Sequence, residues 1–226
     1  MRPTDNFPTA GVDKPVAATE TTLVARALSC RRGGRPVFAG VSLSLQRGQA
    51  MWLRGPNGCG KTSLLRILAG LSKAESGELT LAHDLPPEMR PAFVGHSNAL
   101  KDELSVAEAL QFLCSLRGAT PTREQMRNAL ERFGIAKCLD ATVRRLSQGQ
   151  RRKVALSRLW LDNAAVWLLD EPYDALDKRG TEILDEALAR LLSQGASIVM
   201  TSHQPVTLPG VRPFDLDQEM ARGVAA

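Results

Sequence analysis

The segment GPNGCGKT, residues 55–62, matches the pattern G-x-x-x-x-G-K-[ST] at every fixed position. A short apolar segment typical of a strand, QAMWLRG, precedes it. The segment LLRILAGL follows it, with leucines at helical spacing. Glycines let the backbone N–H groups converge on phosphate oxygens, and the helix that follows adds the positive end of its dipole. The sequence therefore predicts a phosphate-binding loop between a strand and a helix.

The loop and the start of the following helix are expected to contact a nucleotide. The Lys61 ammonium is placed to reach the β- and γ-phosphates, and the Thr62 hydroxyl is placed to ligate Mg²⁺. Cys59 has a simpler alternative, as a small residue that fits the loop without serving the ligand. The predicted nucleotide-binding set in this segment is Gly55, Pro56, Asn57, Gly58, Cys59, Gly60, Lys61, Thr62 and Ser63.

A second motif, VWLLDEP at residues 166–172, supplies two carboxylates. Its apolar residues predict a buried strand that delivers Asp170 at its carboxyl end, where α/β sheets bind ligands. Asp170 is predicted to hold Mg²⁺ together with Thr62, and Glu171 is predicted to orient and activate water. These residue types suit phosphoryl transfer, which requires mainly positioning and charge neutralisation. The alternative, a solvated strand end, is weakened by the complete phosphate loop in the same chain.

The composition limits the classes of partner. The net charge is +5, from 29 basic and 24 acidic residues, which is compatible with nucleic acid or an anionic membrane surface. Aromatic residues make up only 4% of the chain, so base-stacking platforms are scarce and no nucleic-acid partner is expected. No apolar run approaches the ~18 residues of a membrane span, so work at a membrane would require a partner. The densest basic cluster is interpreted as a solvated face: Arg144, Arg145, Arg151, Arg152 and Lys153.

The order of the predicted elements favours an α/β fold, with one domain over residues 23–205. Strands alternate with helices, which argues for a mainly parallel sheet with helices on both faces. Residues from about 97 to 150 are predicted to form a helical insert, because Ser105 with Glu108 and Thr122 with Gln125 have capping-box spacing. A Pro-, Thr- and Ala-rich disordered leader over residues 1–22 and a C-terminal tail over 206–226 complete the chain.

Three further motifs carry a resemblance to a known family. LSQGQ at residues 146–150 resembles the signature motif of ATP-binding-cassette (ABC) proteins, with Gln148 where glycine is usual. ALD at 175–177 resembles the family's D-loop, and His203 matches the switch histidine that contacts the γ-phosphate. With the two motifs described above, five motifs occur in the family's order between Leu23 and Gln204. The resemblance implies the P-loop NTPase fold of an ABC nucleotide-binding domain, with the helical insert as the signature-bearing subdomain.

The same resemblance implies ATP, Mg²⁺ and two kinds of protein partner. ABC ATPases pair head to tail, so the signature residues are expected to act in trans on ATP held by a second copy. A chain without a membrane span also needs separate integral membrane subunits. The residues expected to act in trans are Ser147, Gln148, Gly149 and Gln150.

Two positions depart from the family pattern. Where an aromatic residue usually stacks on adenine, this chain offers Arg32 or Arg31, and a guanidinium plane can also stack on a base. Where the family has a catalytic-loop glutamine, this chain has His96, which is predicted to act in catalysis beside Lys61 and His203. An ordinary polar loop residue is the alternative for His96.

The histidine, the absent aromatic and the segment WLLDEPYDALD together resemble one branch, the ATPase subunits of the cytochrome c maturation system, also called the heme exporter. The branch implies membrane permease subunits of that system and a peripheral place on the cytoplasmic face of the bacterial inner membrane. Two alternatives stay open: an ABC ATPase for another small solute, and a soluble ABC protein that acts on ribosomes or DNA.

Overall fold

The computed structural model describes residues 21–82, 86 and 89–224. Most of the predicted disordered leader, residues 1–20, lies outside the described residues. The chain folds around two sheets and two hydrophobic cores, one on each side of the larger sheet.

The smaller sheet is antiparallel and has the strand order β2-β1-β4. A turn at Gly33 and Gly34, both at positive φ, joins the first two strands. The inward-facing side chains of this sheet, including Leu23, Val41 and Leu45, pack in one core with the helix Lys61–Leu68. The strands are β1 (Thr21–Arg32), β2 (Arg35–Gln46) and β4 (Ser76–Leu81).

The larger sheet has five strands, all parallel, in the order β5-β6-β7-β3-β8. In β6 the side chains alternate between the two cores, with Val166 and Leu168 on one side and Trp167 and Leu169 on the other. Both faces of this strand are therefore buried, as the apolar run predicted. The strands are β3 (Ala50–Arg54), β5 (Ala92–Val94), β6 (Val166–Leu169), β7 (Ser197–Thr201) and β8 (Arg212–Asp215).

Helices lie between β5 and β6, and the two capping boxes predicted for this stretch are present. Ser105 and Thr122 each accept from the backbone N–H three residues later, and the Glu108 and Gln125 side chains accept from the backbone N–H groups of their N-cap residues. Three short 3₁₀ segments lie at residues 136–138, 143–145 and 158–160. The helices are α1 (Lys61–Leu68), α2 (Val106–Ser115), α3 (Arg123–Arg132), α4 (Gln148–Ser157), α5 (Lys178–Ser193) and α6 (Leu216–Val224).

Two features differ from what the sequence predicts. The first strands form a separate antiparallel sheet, because β1 is long and pairs on both edges, with β2 and β4. The segment predicted as a C-terminal tail contains β8, which pairs with β3, and α6, which packs on β2. The four-residue strand RPFD includes a proline and shows no alternation, so it carries no strand pattern.

The parallel arrangement of the strands indicates where a ligand can bind. The carboxyl ends of parallel strands meet at one edge of the sheet, which is where α/β proteins bind ligands. The loops after β3, β5, β6 and β7 carry, in turn, the phosphate loop, His96, Glu171 and His203. In the part of the chain that the structure describes, no helix has the length and apolarity needed to span a bilayer.

Candidate active site

A cleft of about 580 Å³ lies at the carboxyl edge of the parallel sheet. It brings together residues from all four of these loops and from the β1–β2 hairpin, although they are separated by up to 171 positions in sequence. Its lining is Arg32, Val37, Asn57, Gly58, Gly60, Lys61, Thr62, Ser63, His96, Asp170, Glu171 and His203.

The phosphate loop begins α1 without any side-chain cap. Gly60 is the N-cap at φ 105, and a Cβ on it would lie 2.6 Å from the Val37 side chain, so glycine is required there. The Lys61 ammonium donates to the carbonyls of Gly55 and Pro56 at 2.7 and 3.0 Å. The loop thus places a cation and uncapped backbone N–H groups at one point, which is a site for an anion.

Cys59 has a different environment from the loop residues that line the cleft. The Cys59 side chain packs against the core under the antiparallel sheet, and burial raises the pKa of its thiol. The Cys59 sulfur is also the first atom that a Cβ on Gly55 would meet, at 2.7 Å. Tight packing therefore accounts for a small residue at position 59.

A hydroxyl and a carboxylate form the polar floor of the cleft. The Thr62 hydroxyl donates to both carboxylate oxygens of Asp170, at 3.1 and 2.9 Å, and the Thr201 hydroxyl donates to one of them at 3.0 Å. Asp170 is buried at the end of β6. A hydroxyl and a carboxylate, both hard oxygen ligands, are the donor set that Mg²⁺ takes beside phosphate oxygens and water. The residues therefore fit the predicted ion.

Glu171 has an unusual backbone and a well-held side chain. Its φ is 49, a left-handed conformation that is uncommon outside glycine. Its N–H donates to the Thr201 hydroxyl at 2.8 Å, and its carboxylate accepts from the His203 backbone N–H at 3.0 Å. The His203 ring lies 3.6 Å from the other carboxylate oxygen. The side chain is only 12% exposed, so Glu171 presents a partly desolvated carboxylate beside the phosphate loop.

The two positions that depart from the family pattern both line the cleft. The His96 Nδ1 lies 3.5 Å from an Asp174 carboxylate oxygen, and the imidazole is 62% exposed. Arg32 lines the cleft, whereas the Arg31 guanidinium donates to the Gly34 carbonyl and faces Glu75. Of the two arginines proposed for the adenine, the geometry favours Arg32.

The signature residues lie apart from the cleft of their own chain. Ser147 is the N-cap of α4 and forms a capping box with Gln150, and Ser147 and Gln148 are exposed. None of residues 147–150 is among the described residues that line the cleft. A Cβ on Gly149 would lie 2.9 Å from the Ala175 carbonyl, so the signature turn packs closely on the segment ALD.

One buried residue at the site was misinterpreted from the sequence. Arg152 is only 2% exposed, so the interpretation of the basic cluster as a solvated face is wrong for this residue. Burial lowers the pKa of its guanidinium to about 10, although Asp174, Asp170 and Glu171 oppose that shift. A signal was available, because residues 152, 155, 156 and 159 have helical spacing and the last three are apolar.

Comparison with known proteins gives consistent results. The sequence profile of the ABC transporter family matches residues 38–174. The cytochrome c biogenesis ATP-binding export protein CcmA of Albidiferax ferrireducens is 42% identical over 199 residues, which are 85% of this chain and 95% of that protein. The protein of the same name from Paramagnetospirillum magneticum is 42% identical over 210 residues, covering 88% and 96%.

Solved structures share the fold. A putative ABC transporter ATP-binding protein from Pyrococcus furiosus superposes with a TM-score of 0.73 at 25% identity, covering 87% of this chain and 98% of that one. The ATP-binding cassette MJ0796, described as a dimer in a post-hydrolysis state with ADP and Pi, gives 0.72 at 20% identity, covering 86% and 96%. By the extent of the profile match and the identity to these relatives, the chain belongs to the ABC transporter family, in the group of cytochrome c biogenesis ATP-binding export proteins.

Proposed function

We propose that this chain is the ATP-hydrolysing subunit of an ABC transporter for cytochrome c biogenesis, which drives either heme export or the release of a heme-loaded chaperone. One observation carries the proposal: a chain 42% identical to export proteins of this process holds Lys61, Thr62, Asp170 and Glu171 around one cleft. ATP hydrolysis coupled to transport is the activity of its family.

The phosphate loop binds the nucleotide. Its free backbone N–H groups and the Lys61 ammonium neutralise the β- and γ-phosphates, and Lys61 exchanges its carbonyl partners for phosphate oxygens. Arg32 lies at the cleft wall, where its guanidinium plane stacks on the adenine in place of an aromatic ring.

Thr62 and Asp170 would hold Mg²⁺, which would supply charge neutralisation for phosphoryl transfer. Glu171 accepts a proton from the attacking water, and its orientation comes from Thr201 and the His203 backbone. His203 contacts the γ-phosphate, and His96 adds a further polar group to the lining of the cleft.

A second copy of the chain completes each site. The N-terminus of α4 lies outside its own cleft, and its Ser147 and Gln148 are exposed, which supports action on the partner's ATP. The positive end of the α4 dipole then adds to the stabilisation of the γ-phosphate. Gln148 through Gln150 form the remainder of that contact surface.

An apolar groove of about 430 Å³ supports docking of a membrane subunit. Leu71, Phe112 and Leu116 are the exposed large hydrophobic residues among those described, and Leu71 and Leu116 line the groove. Ala99, in the loop that begins at His96, lines it as well. The loop therefore connects the cleft to this groove, which is consistent with a peripheral place on the cytoplasmic face of the inner membrane.

Copurification tests the proposal directly. The tagged chain should be recovered from detergent-solubilised membranes together with small hydrophobic proteins of the cytochrome c system, and Leu116→Glu should abolish the recovery. Glu103→Lys, on an exposed residue that does not line the groove, is the matched control and should retain it. Recovery with permeases for another solute, or with ribosomes or DNA, would replace this proposal with one of the alternatives.

A further inference from the structure

Arg152 makes an unusually complete set of hydrogen bonds. A guanidinium has five N–H donors, and here each of the five has an acceptor. Nε donates to the Pro172 carbonyl, one terminal nitrogen to Gly95 and Asn98, and the other to Asp170 and Glu171, at distances of 2.5 to 3.2 Å. A lysine, with three donors on a single nitrogen, cannot reproduce this fork.

The acceptors belong to two loops that both end at the cleft. Three are consecutive backbone carbonyls at residues 170–172, on either side of and including Glu171. The other two, the Gly95 carbonyl and the Asn98 side-chain oxygen, flank His96. Arg152 itself lies on α4, one turn after Ser147. Three separate elements of the site therefore meet at one buried cation.

The Glu171 backbone needs such support. A left-handed φ at a non-glycine residue is unfavourable and persists only when its surroundings hold it. The Glu171 N–H is bound by the Thr201 hydroxyl and its carbonyl by Arg152, from opposite ends of the residue. These two contacts fix both peptide planes next to its Cα, and hence the direction in which the carboxylate leaves the backbone.

We propose that Arg152 is a positioning residue for hydrolysis: it joins α4, the His96 loop and the Glu171 backbone, and so holds the Glu171 carboxylate toward the cleft. This inference rests on the proposed role of Glu171 as the acceptor of the water proton. Arg152 does not line the cleft, so it acts on the rate through Glu171 and leaves nucleotide binding to the phosphate loop.

The direct test is Arg152→Gln. We expect kcat to fall about 10- to 100-fold, because a displacement of a catalytic group by about 1 Å is enough for such a loss. The KM for ATP and the equilibrium affinity for ATP should stay within about threefold, since no phosphate contact is lost. Arg151→Gln is the matched control: Arg151 is the preceding residue on α4, pairs with the exposed Asp102, and should keep kcat within about twofold.

A second genetic background separates positioning from general stability. In Glu171→Gln protein, single-turnover hydrolysis should lose less than about twofold on adding Arg152→Gln, because the carboxylate that Arg152 orients is already absent. An equal loss in both backgrounds, or no loss with Glu171 present, would overturn the inference. If Glu171→Gln alone leaves hydrolysis unchanged, the proposed function of Glu171 fails, which is a different result.

Asn98→Gly tests the positioning role of Arg152 even if the Arg152→Gln variant fails to fold. Asn98 has φ 60, so glycine keeps the backbone while it removes one acceptor of Arg152. We expect a smaller loss of kcat, about two- to tenfold, as for one hydrogen bond to a charged group, and again only when Glu171 is present. Unchanged kcat in Asn98→Gly, in protein with a wild-type melting temperature, would show that the Asn98 contact has no part in positioning Glu171.

Discussion

Two helices that begin at motif residues, α1 and α4, start in opposite ways. The first turn of α1 follows Gly60, has no side-chain cap and lies inside the cleft. The first turn of α4 follows Ser147, whose hydroxyl accepts from the Gln150 N–H while the Gln150 amide accepts from the Ser147 N–H. Both helix ends carry a positive partial charge, but only α1 leaves its N–H groups free for an anion within the same chain.

The difference suggests how a pair of chains works. The α1 end is prepared for phosphate before any ligand arrives, because its glycines cannot cap it. In a single chain, the capping box accepts from the Ser147 and Gln150 backbone N–H groups at the start of α4. When two chains pair, these N–H groups would bond to the partner's γ-phosphate instead. Nucleotide binding would then be a property of one chain, and hydrolysis a property of two.

The largest expected effect is that of Ser147→Arg. Its long side chain should block the approach of α4 to the partner's nucleotide, so hydrolysis should fall to the background rate while a single chain still binds ATP. Fluorescence titration with a nucleotide analogue and a phosphate-release assay measure the two properties separately. Mixing with Lys61→Ala chains should restore part of the hydrolysis, because each mixed pair has one site with neither change. Absence of any recovery would leave the action in trans unsupported, although a requirement that both sites fire together would give the same result.

Glu171→Gln should lower hydrolysis by about 10²- to 10⁴-fold, the usual contribution of a positioned proton acceptor. ATP binding should persist, and closed pairs should accumulate because closure no longer ends in cleavage. Size-exclusion chromatography with ATP and with ADP checks this, since only ATP should give the dimer. In that dimer, the N–H groups at 147–150 should gain protection from hydrogen exchange. If Glu171→Gln hydrolyses ATP at the wild-type rate, Glu171 is not the acceptor of the water proton.

The phosphate loop and α1 are easier to predict from the sequence than the contacts that hold the residues of the cleft in place. GPNGCGKT and VWLLDEP are recognisable because the ligand dictates their fixed polar and glycine positions, and the structure brings Thr62 and Asp170 within 2.9 Å. Ser147 with Gln150 has the same capping-box spacing as Ser105 with Glu108, so the α4 box was also within reach of the sequence.

Other features had no local pattern to reveal them. Four of the five acceptors of Arg152 are backbone carbonyls, which every residue has, so these contacts leave no trace in the sequence. The left-handed φ of Glu171 is imposed by Thr201 and Arg152, which lie 30 and 19 positions away. The strand β8 forms because β3 offers an edge, although RPFD has no strand periodicity. Such features depend on tertiary contacts and become visible only in the structure.

His96 lines the same cleft as the first turn of α1. His96→Ala should lower hydrolysis about three- to tenfold with little change in ATP affinity, the effect of one polar contact. His96→Gln should stay within about twofold of wild type, because an amide also supplies one acceptor and donors. Steady-state hydrolysis with and without the membrane partner measures both the rate and its stimulation. Wild-type behaviour of His96→Ala in both assays would make His96 an ordinary loop residue.

The smallest expected effect is that of Ser147→Ala, compared with Ser105→Ala at an N-cap that is not predicted to contact nucleotide. Ser105→Ala and Ser147→Ala each remove an N-cap hydroxyl from a capping box, so each should lower the free energy of unfolding by about 0.5–2 kcal/mol. Only Ser147→Ala should also slow hydrolysis, by about two- to fivefold, because the remaining N–H groups of α4 still face the partner's phosphate. Urea unfolding and phosphate release measure the two quantities on the same preparations. If both variants slow hydrolysis in proportion to their lost stability, the start of α4 is a structural cap like that of α2, and the contrast with α1 disappears.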